Sequence, residues 1–372
     1  MAKQDVKTNL MDHSAAKIQL LGTYLDAYLN IISRDGYTKR IKVYDLFCGE
    51  GMYENGGEGS PLVIIKKIKQ LHFQNEAAKV VIPKIDCLFN DIAKDKVEKV
   101  KKEITDKKLY YPSYGDLHFK SEDYAELIKG VTAEINSLKD SKAFVFIDPY
   151  GYKHIHAMDI KNLLEKKNSE VLLFLPTQFM YRFNEAGTPE ALKDFIDEMV
   201  PFNEWKKSDS VWKFINQLLD GFRNFLGPDY FVDSFTIQKD ANTVFCLFFF
   251  SSHIRGFEKM LEAKWKIDQE YGRGWEYSGN EPSLFHEQKT NKLEDLLILY
   301  LKESERSNGE VHEYTLRNGF LPTHATQVLT ALAETKGFRI SRGDGEKPRK
   351  KAFYINYKSY KEEYGKIKIK ME

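Results

Sequence analysis

Two acid-led stretches, DLFCGEG (45–51) and DPYG (148–151), carry the reactive potential of this chain. In the first, Asp45 closes an apolar run, then Phe47, Cys48, Gly49 and Gly51 follow; glycines let the main chain approach a ligand closely. An acid at that place suits a ligand with a cationic end and repels a pyrophosphate. The dinucleotide fingerprint also wants a glycine at position 54, where this chain has Glu54. In the second stretch, Asp148 and the carbonyl of Pro149 can accept both hydrogens of a planar amine. Such a nitrogen is a poor nucleophile because its lone pair is delocalised into the ring. Pulling it toward tetrahedral geometry aims the lone pair at an acceptor, and positioning does most of the rest. Pro149 has no N–H, which suits a turn that points carbonyls inward. Tyr150 can stack on the ring, a contact worth about 1–3 kcal/mol for a base. The arrangement suits attack of a planar amine on an electrophilic group held beside it. A tight glycine turn and a Pro-Gly turn with a capping acid are the plainer readings of the same residues.

These residues need a sheet to present them. Apolar runs at 41–47, 85–91, 117–123, 142–151 and 170–177 alternate with helical patterns at 14–33, 60–71, 93–108 and 124–137. Such alternation predicts a doubly wound α/β sheet, Rossmann-like, with helices on both faces. Ser60 reads as the cap of its helix, with Pro61 at its first position. Runs 230–238 and 243–252 are too close for a crossover helix, so they form a terminal antiparallel hairpin. That ending is the ordering of S-adenosylmethionine (SAM)-dependent methyltransferases rather than of nicotinamide-binding folds. Segment 178–229 reads as a helical insertion over the site. In doubly wound sheets, ligands bind beyond the carboxyl ends of the strands at the switch point. Asp91 or Asn90 would accept hydrogen bonds from ribose hydroxyls, and Asp123 would meet the adenine amino group; helix capping is the alternative for both acids. The cofactor set is therefore Asp45, Phe47, Cys48, Gly49, Gly51, Asn90, Asp91 and Asp123, the catalytic set Asp148, Pro149 and Tyr150. No metal site is expected.

The chain has 372 residues, 42% hydrophobic and 30% charged, with no run long enough for a membrane span. Its N-terminus lacks the apolar stretch of a signal peptide. Cys48, Cys87 and Cys246 stand alone, which points to a reducing cytoplasm. None follows a proline, so none fits the nucleophile of cytosine-C5 methyltransferases, whose first motif DLFCGEG also resembles. Net charge is +1 but uneven: residues 336–372 carry twelve Lys/Arg against five Asp/Glu, a surplus of seven that leaves −6 on the rest. Helical patterns at 291–304, 311–320 and 323–337, then two strands around a basic loop within 338–357, predict a C-terminal winged helix. Domains follow at 1–285 and 286–372. Thr323, His324, Thr326 and Gln327 would face a groove; Arg342, Lys347, Arg349, Lys350 and Lys351 would contact phosphates of DNA or RNA. A protein-docking winged helix is the other reading.

DLFCGEG, GSPL, FIDPYGY, SSHIRGFEKMLEAKWKID and the start KIQLLGTYLDAYL together resemble the three-Cys-motif partner (TcmP) family over nearly the whole chain. DPYG is also similar to the Asp-Pro-Phe/Tyr-Gly motif of a tRNA guanine-N2 methyltransferase group. The TcmP resemblance implies a methyltransferase-like protein, a radical-SAM-like three-Cys partner, and a mobile-element or defence setting. It leaves open a catalytically inactive scaffold. Arg182 and Arg255 are further candidates for substrate contact or for structure.

Overall fold

Residues Asp12–Ile32 form a 21-residue helix, α1, that buries Lys17, Leu20, Leu21, Tyr24, Leu25 and Tyr28 along one stripe. One of the six is a lysine, and the site described below explains it. The computed structural model describes residues 12–185, 188–276, 289–335, 337–342, 346 and 351–372. Within these the chain packs as two compact units. One runs to Lys259 and resumes at Arg273; the other comprises Met260–Gly272 and the remainder.

In the first unit, strands β1 (Arg40–Asp45), β2 (Lys84–Asn90), β3 (Leu117–Lys120), β4 (Ser141–Ile147) and β5 (Ser169–Leu175) alternate with helices α2 (Ser60–Ala77), α3 (Lys94–Asp106), α4 (Tyr124–Ser137) and α5 (Ala157–Leu164). Helices α6 (Thr177–Glu185), α7 (Glu190–Asp197) and α8 (Val211–Leu226) precede β6 (Phe231–Asp240), β7 (Thr243–Ser251), α9 (Ile254–Ile267, which belongs to the second unit from Met260 on) and β8 (Gly274–Glu276). The sheet order is β3-β2-β1-β4-β5-β7-β6-β8, with β1 to β5 parallel and β7 antiparallel to both neighbours. This is the doubly wound α/β sheet with a terminal hairpin. Every residue of β5 is buried, as a strand covered on both faces requires. Strand β8, absent from the sequence reading, extends the edge parallel to β6.

Two local expectations change, and a third residue takes its alternative role. Gly59, not Ser60, holds the cap position of α2: its N–H donates to Gly51 O at 2.7 Å, and a Cβ there would sit 3.2 Å from that oxygen. Close approach of two backbones outweighs side-chain capping. The helical segment after β5 does not simply overlie the site. Phe222 of α8 packs on Phe248 and Phe250 of β7, with ring centroids 5.4 and 4.9 Å apart, so this helix covers a sheet face. Asp123 caps α4 by accepting from Ala125 N–H at 2.9 Å.

At the far end of β5, buried Glu170 accepts hydrogen bonds from the Tyr24 and Ser251 hydroxyls, and burial pushes its pKa up to about 7. Gly256 of α9 makes room for it: a Cβ there would lie 1.9 Å from Glu170 Oε1. Gly256→Ala is therefore expected to destabilise the chain by about 1–3 kcal/mol through overpacking. Urea unfolding would show it, and an unchanged midpoint would mean that Glu170 is not held there.

In the second unit, α10 (Lys289–Glu303), β9 (Arg306–Ser307), α11 (Asn308–Arg317), α12 (Pro322–Leu332), β10 (Phe338–Arg342), α13 (Tyr357–Glu362) and β11 (Ile367–Met371) surround a core of Leu293, Leu297, Val311, Leu329, Phe353 and Ile369. The small antiparallel sheet runs β10-β11-β9. A second strand was expected before residue 357. The strand that pairs with β10 is instead Ile367–Met371, and a short helix intervenes. Lys351 and Tyr354 adopt positive φ, 58° and 55°, which breaks the extended run that the apolar residues suggested.

Candidate active site

Strands β1 and β4 are parallel neighbours with Asp45 opposite Phe146, and Leu46 N–H donates to Phe146 O at 3.1 Å. The turns that follow them therefore leave the same rim of the sheet side by side. Asp148 lies two residues beyond Phe146. The glycine loop is fastened to the end of β2: Cys48 N–H donates to Asn90 O at 2.7 Å and Gly49 N–H to Asp91 Oδ2 at 3.2 Å. Gly49 and Gly51 have φ of +60° and +76°, and a Cβ at Gly51 would press on Val100 at 3.0 Å. Both glycines are thus required by conformation, Gly51 also by space. Beyond them the chain folds back through a Met52–Glu58 bridge, which carries half-buried Tyr53 to the rim.

Asp45 is fully buried, and neither carboxylate oxygen has a hydrogen-bond partner. Burial pushes its pKa up to about 7, and the charge of Asp148 adds to the rise. The Ser60 hydroxyl, the Phe47 amide and Lys17 temper the effect, yet neither Ser60 nor Phe47 completes a hydrogen bond of good geometry. An orphaned buried carboxylate is costly unless something binds it. Beside it, the Lys17 ammonium of α1 forms an ion pair with Asp148 Oδ2 and lies 4.4 Å from the centroid of the Phe174 ring. Burial alone would lower the Lys17 pKa; Asp148, then Tyr53, with Asp45 contributing least, outweighs it and leaves the pKa raised.

The other expected residues are placed as follows. Tyr150 is 75% exposed, its ring face open except for Lys96, whose ammonium sits 4.6 Å from the ring centroid and 2.7 Å from the hydroxyl. Asp91 is buried and accepts from Gly49 and Ala93 N–H, with Lys96 3.7 Å away. Asn90 spends its amide on main-chain groups of Leu46 and Glu122. Phe47 stacks on Tyr124 at 5.2 Å. Arg182 donates to Asn242 O, and Arg255 pairs with Glu258. Sequence reasoning missed Lys17, Tyr53 and Lys96. It also missed Ile92, 70% exposed beside Asp91, where it offers an apolar surface at the rim. Lys17 had a signal: it falls in register with Leu21, Tyr24 and Tyr28 on the apolar stripe, where a cation needs a partner.

Of the cations expected to contact phosphates, Lys347, Arg349 and Lys350 lie outside the described residues. Arg342 pairs with Glu346 at 2.9 Å and Lys351 with Glu334 at 3.1 Å. His324 is engaged within its unit: its Nδ1 accepts from Leu321 N–H, and its ring packs edge-on against Trp265 at 4.2 Å. Thr323 and Gln327 remain exposed on α12. Among the described residues no cluster of His, Cys, Asp or Glu could hold a metal ion, and no helix is long and apolar enough to cross a membrane. The three cysteines are buried and unbonded.

No protein-family model and no curated protein matches the chain. Solved structures with a similar backbone include the bifunctional kinase-methyltransferase WbdD (10% identity, 64% of this chain and 39% of that one, TM-score 0.31). Others are the methyltransferase domain of bacterial-CtHen1-C (13%, 62% and 98%, 0.31) and an O-methyltransferase from Bacillus cereus in complex with SAH (9%, 68% and 93%, 0.35). The chain thus spans well under half the length of WbdD. All three are distant likenesses.

Proposed function

We propose that this chain is a SAM-dependent methyltransferase acting on an exocyclic amino group of a base in DNA or RNA. The observation that carries the reading is Asp45: a buried carboxylate without partners, at the same rim as Asp148-Pro149-Tyr150. Its empty oxygens suit the ammonium of an amino-acid moiety, and the Gly49–Gly51 loop beside it can lie under that moiety. Asp91, Lys96 and Ile92 border the place for a nucleoside. The cofactor supplies an electrophilic methyl group on a sulfonium.

The chain supplies position. Asp148 and the Pro149 carbonyl accept the two N–H bonds of the amine, and exposed Tyr150 stacks on its ring. Positive charge grows on the nitrogen as the new N–C bond forms, so Asp148 favours the transition state over the ground state. Its carboxylate then stands ready to take the surplus proton. A base in a duplex must leave its stack to reach this rim.

The second unit, with three helices and a three-stranded sheet in the order α-β-α-α-β-β apart from the inserted α13, supports a winged-helix reading. Its role would be to bind nucleic acid, and the resemblance to TcmP proteins adds a radical-SAM-like three-Cys protein as partner. One observation favours a scaffold instead: Lys17 occupies Asp148, the proposed acceptor. The internal pairing of Arg342 and Lys351 likewise suits protein docking. Methyl-tritiated SAM with bulk RNA and DNA separates these readings. Label is expected in an N-methylated nucleoside after digestion. SAM binding without transfer to either polymer would favour the scaffold.

A further inference from the structure

Lys17 is buried on α1, yet its ammonium reaches the rim, hydrogen-bonded to Asp148 and within electrostatic range of Asp45. An ammonium has three donors. One is on Asp148, and the π face of Phe174 lies within 4.4 Å. An amino-acid moiety is a zwitterion, so a site built for it needs a cation as well as an anion. Asp45 is the anion with free oxygens, and Lys17 is the cation beside it.

We infer that Lys17 exchanges partners: it holds Asp148 until the α-carboxylate of a bound amino-acid moiety takes its place, and so frees Asp148 for the amine. The inference rests on the cofactor reading above. A buried ammonium stripped of its partner is strongly destabilising, so Lys17 does not release Asp148 to nothing. Carboxylate for carboxylate keeps the charge-assisted hydrogen bond, so the exchange is cheap only when the incoming group is itself an anion. The order of binding follows. The amino-acid end enters first, and the base second, because until then the acceptor for its amine is engaged. Lys17 is thus a binding and positioning residue rather than a core anchor.

Titration of the whole chain with SAM and with decarboxylated SAM tests this. The wild type is expected to prefer SAM by about tenfold or more, because the incoming carboxylate gains Lys17 while Asp148, partly exposed at the rim, regains hydration. Lys17→Met is expected to bind both alike, and Lys17→Arg to keep the preference. Equal affinities in the wild type would overturn the exchange without any variant, and so would a preference that survives Lys17→Met. A wild type that binds neither compound would sink the cofactor reading along with it, so the two failures are told apart.

Discussion

Asp148→Ala is expected to lower methyl transfer by about 10²–10⁴-fold while SAM still binds. In the proposed reaction this carboxylate accepts the amine's hydrogen; of the other acids described at the rim, Asp45 is fully buried and Asp91 is tied to Gly49 and Ala93. The same substitution has a second, separable effect. It strands the Lys17 ammonium, which is only 11% exposed, and removing one partner of a buried pair costs about 3–5 kcal/mol. Replacing both, as Lys17→Met with Asp148→Leu, is expected to recover most of that stability and none of the activity. Urea unfolding of the two single variants and the double variant gives the coupling; transfer assays give the catalysis. Additive stabilities would show that the pair is not buried as described, and residual transfer near wild type in Asp148→Ala would remove Asp148 from the chemistry.

Asp45→Asn should stabilise the chain, and increasingly so with pH. The ordinary Asp value is 3.8, and burial raises it to about 7 in the folded state. Folding therefore takes up a proton between these two values. Stability contributed by the protonated acid is present at low pH and is lost as pH rises through about 7. The loss is on the order of 2–4 kcal/mol for a shift of this size. Asparagine carries no charge to desolvate, so the variant escapes it. The difference in melting temperature between variant and wild type should be small near pH 4, grow toward pH 7 and then level off. Glu170 is raised to about 7 for the same reason, so the wild-type curve alone mixes two groups. The difference between the two proteins isolates Asp45. A difference that does not change with pH would mean that Asp45 is solvated or paired.

Both acid-led stretches were legible because backbone chemistry announces them: an apolar strand ending in an acid, then glycine or proline. Adjacent parallel strands then bring the two turns together without further instruction. The partner of Asp148 was not legible from local pattern. Lys17 sits 131 positions away, and only the buried stripe of α1 hints that its charge needs an answer. The Gly59 cap was misassigned because the rule for Ser60 concerns side chains, whereas the close approach to Gly51 is set by tertiary folding. In the second unit, Phe353 and Ile355 read as strand because they are apolar, and they are buried. The true strand, IKIKM, alternates Ile367 and Ile369 inward with Lys368 and Lys370 outward, a period-two signal overshadowed by its charge.

Isothermal titration of SAM into the wild type and into Asp45→Asn at pH 8 asks most simply whether the rim of β1 and β4 is a cofactor site. The methyl-transfer reading expects one SAM per chain in the wild type, and affinity that falls about tenfold per pH unit below 7 as Asp45 protonates. It expects binding at least a hundredfold weaker in Asp45→Asn, since a charged partner for the ammonium is worth about 3 kcal/mol. No heat with the wild type, or equal affinity in both proteins, would contradict it.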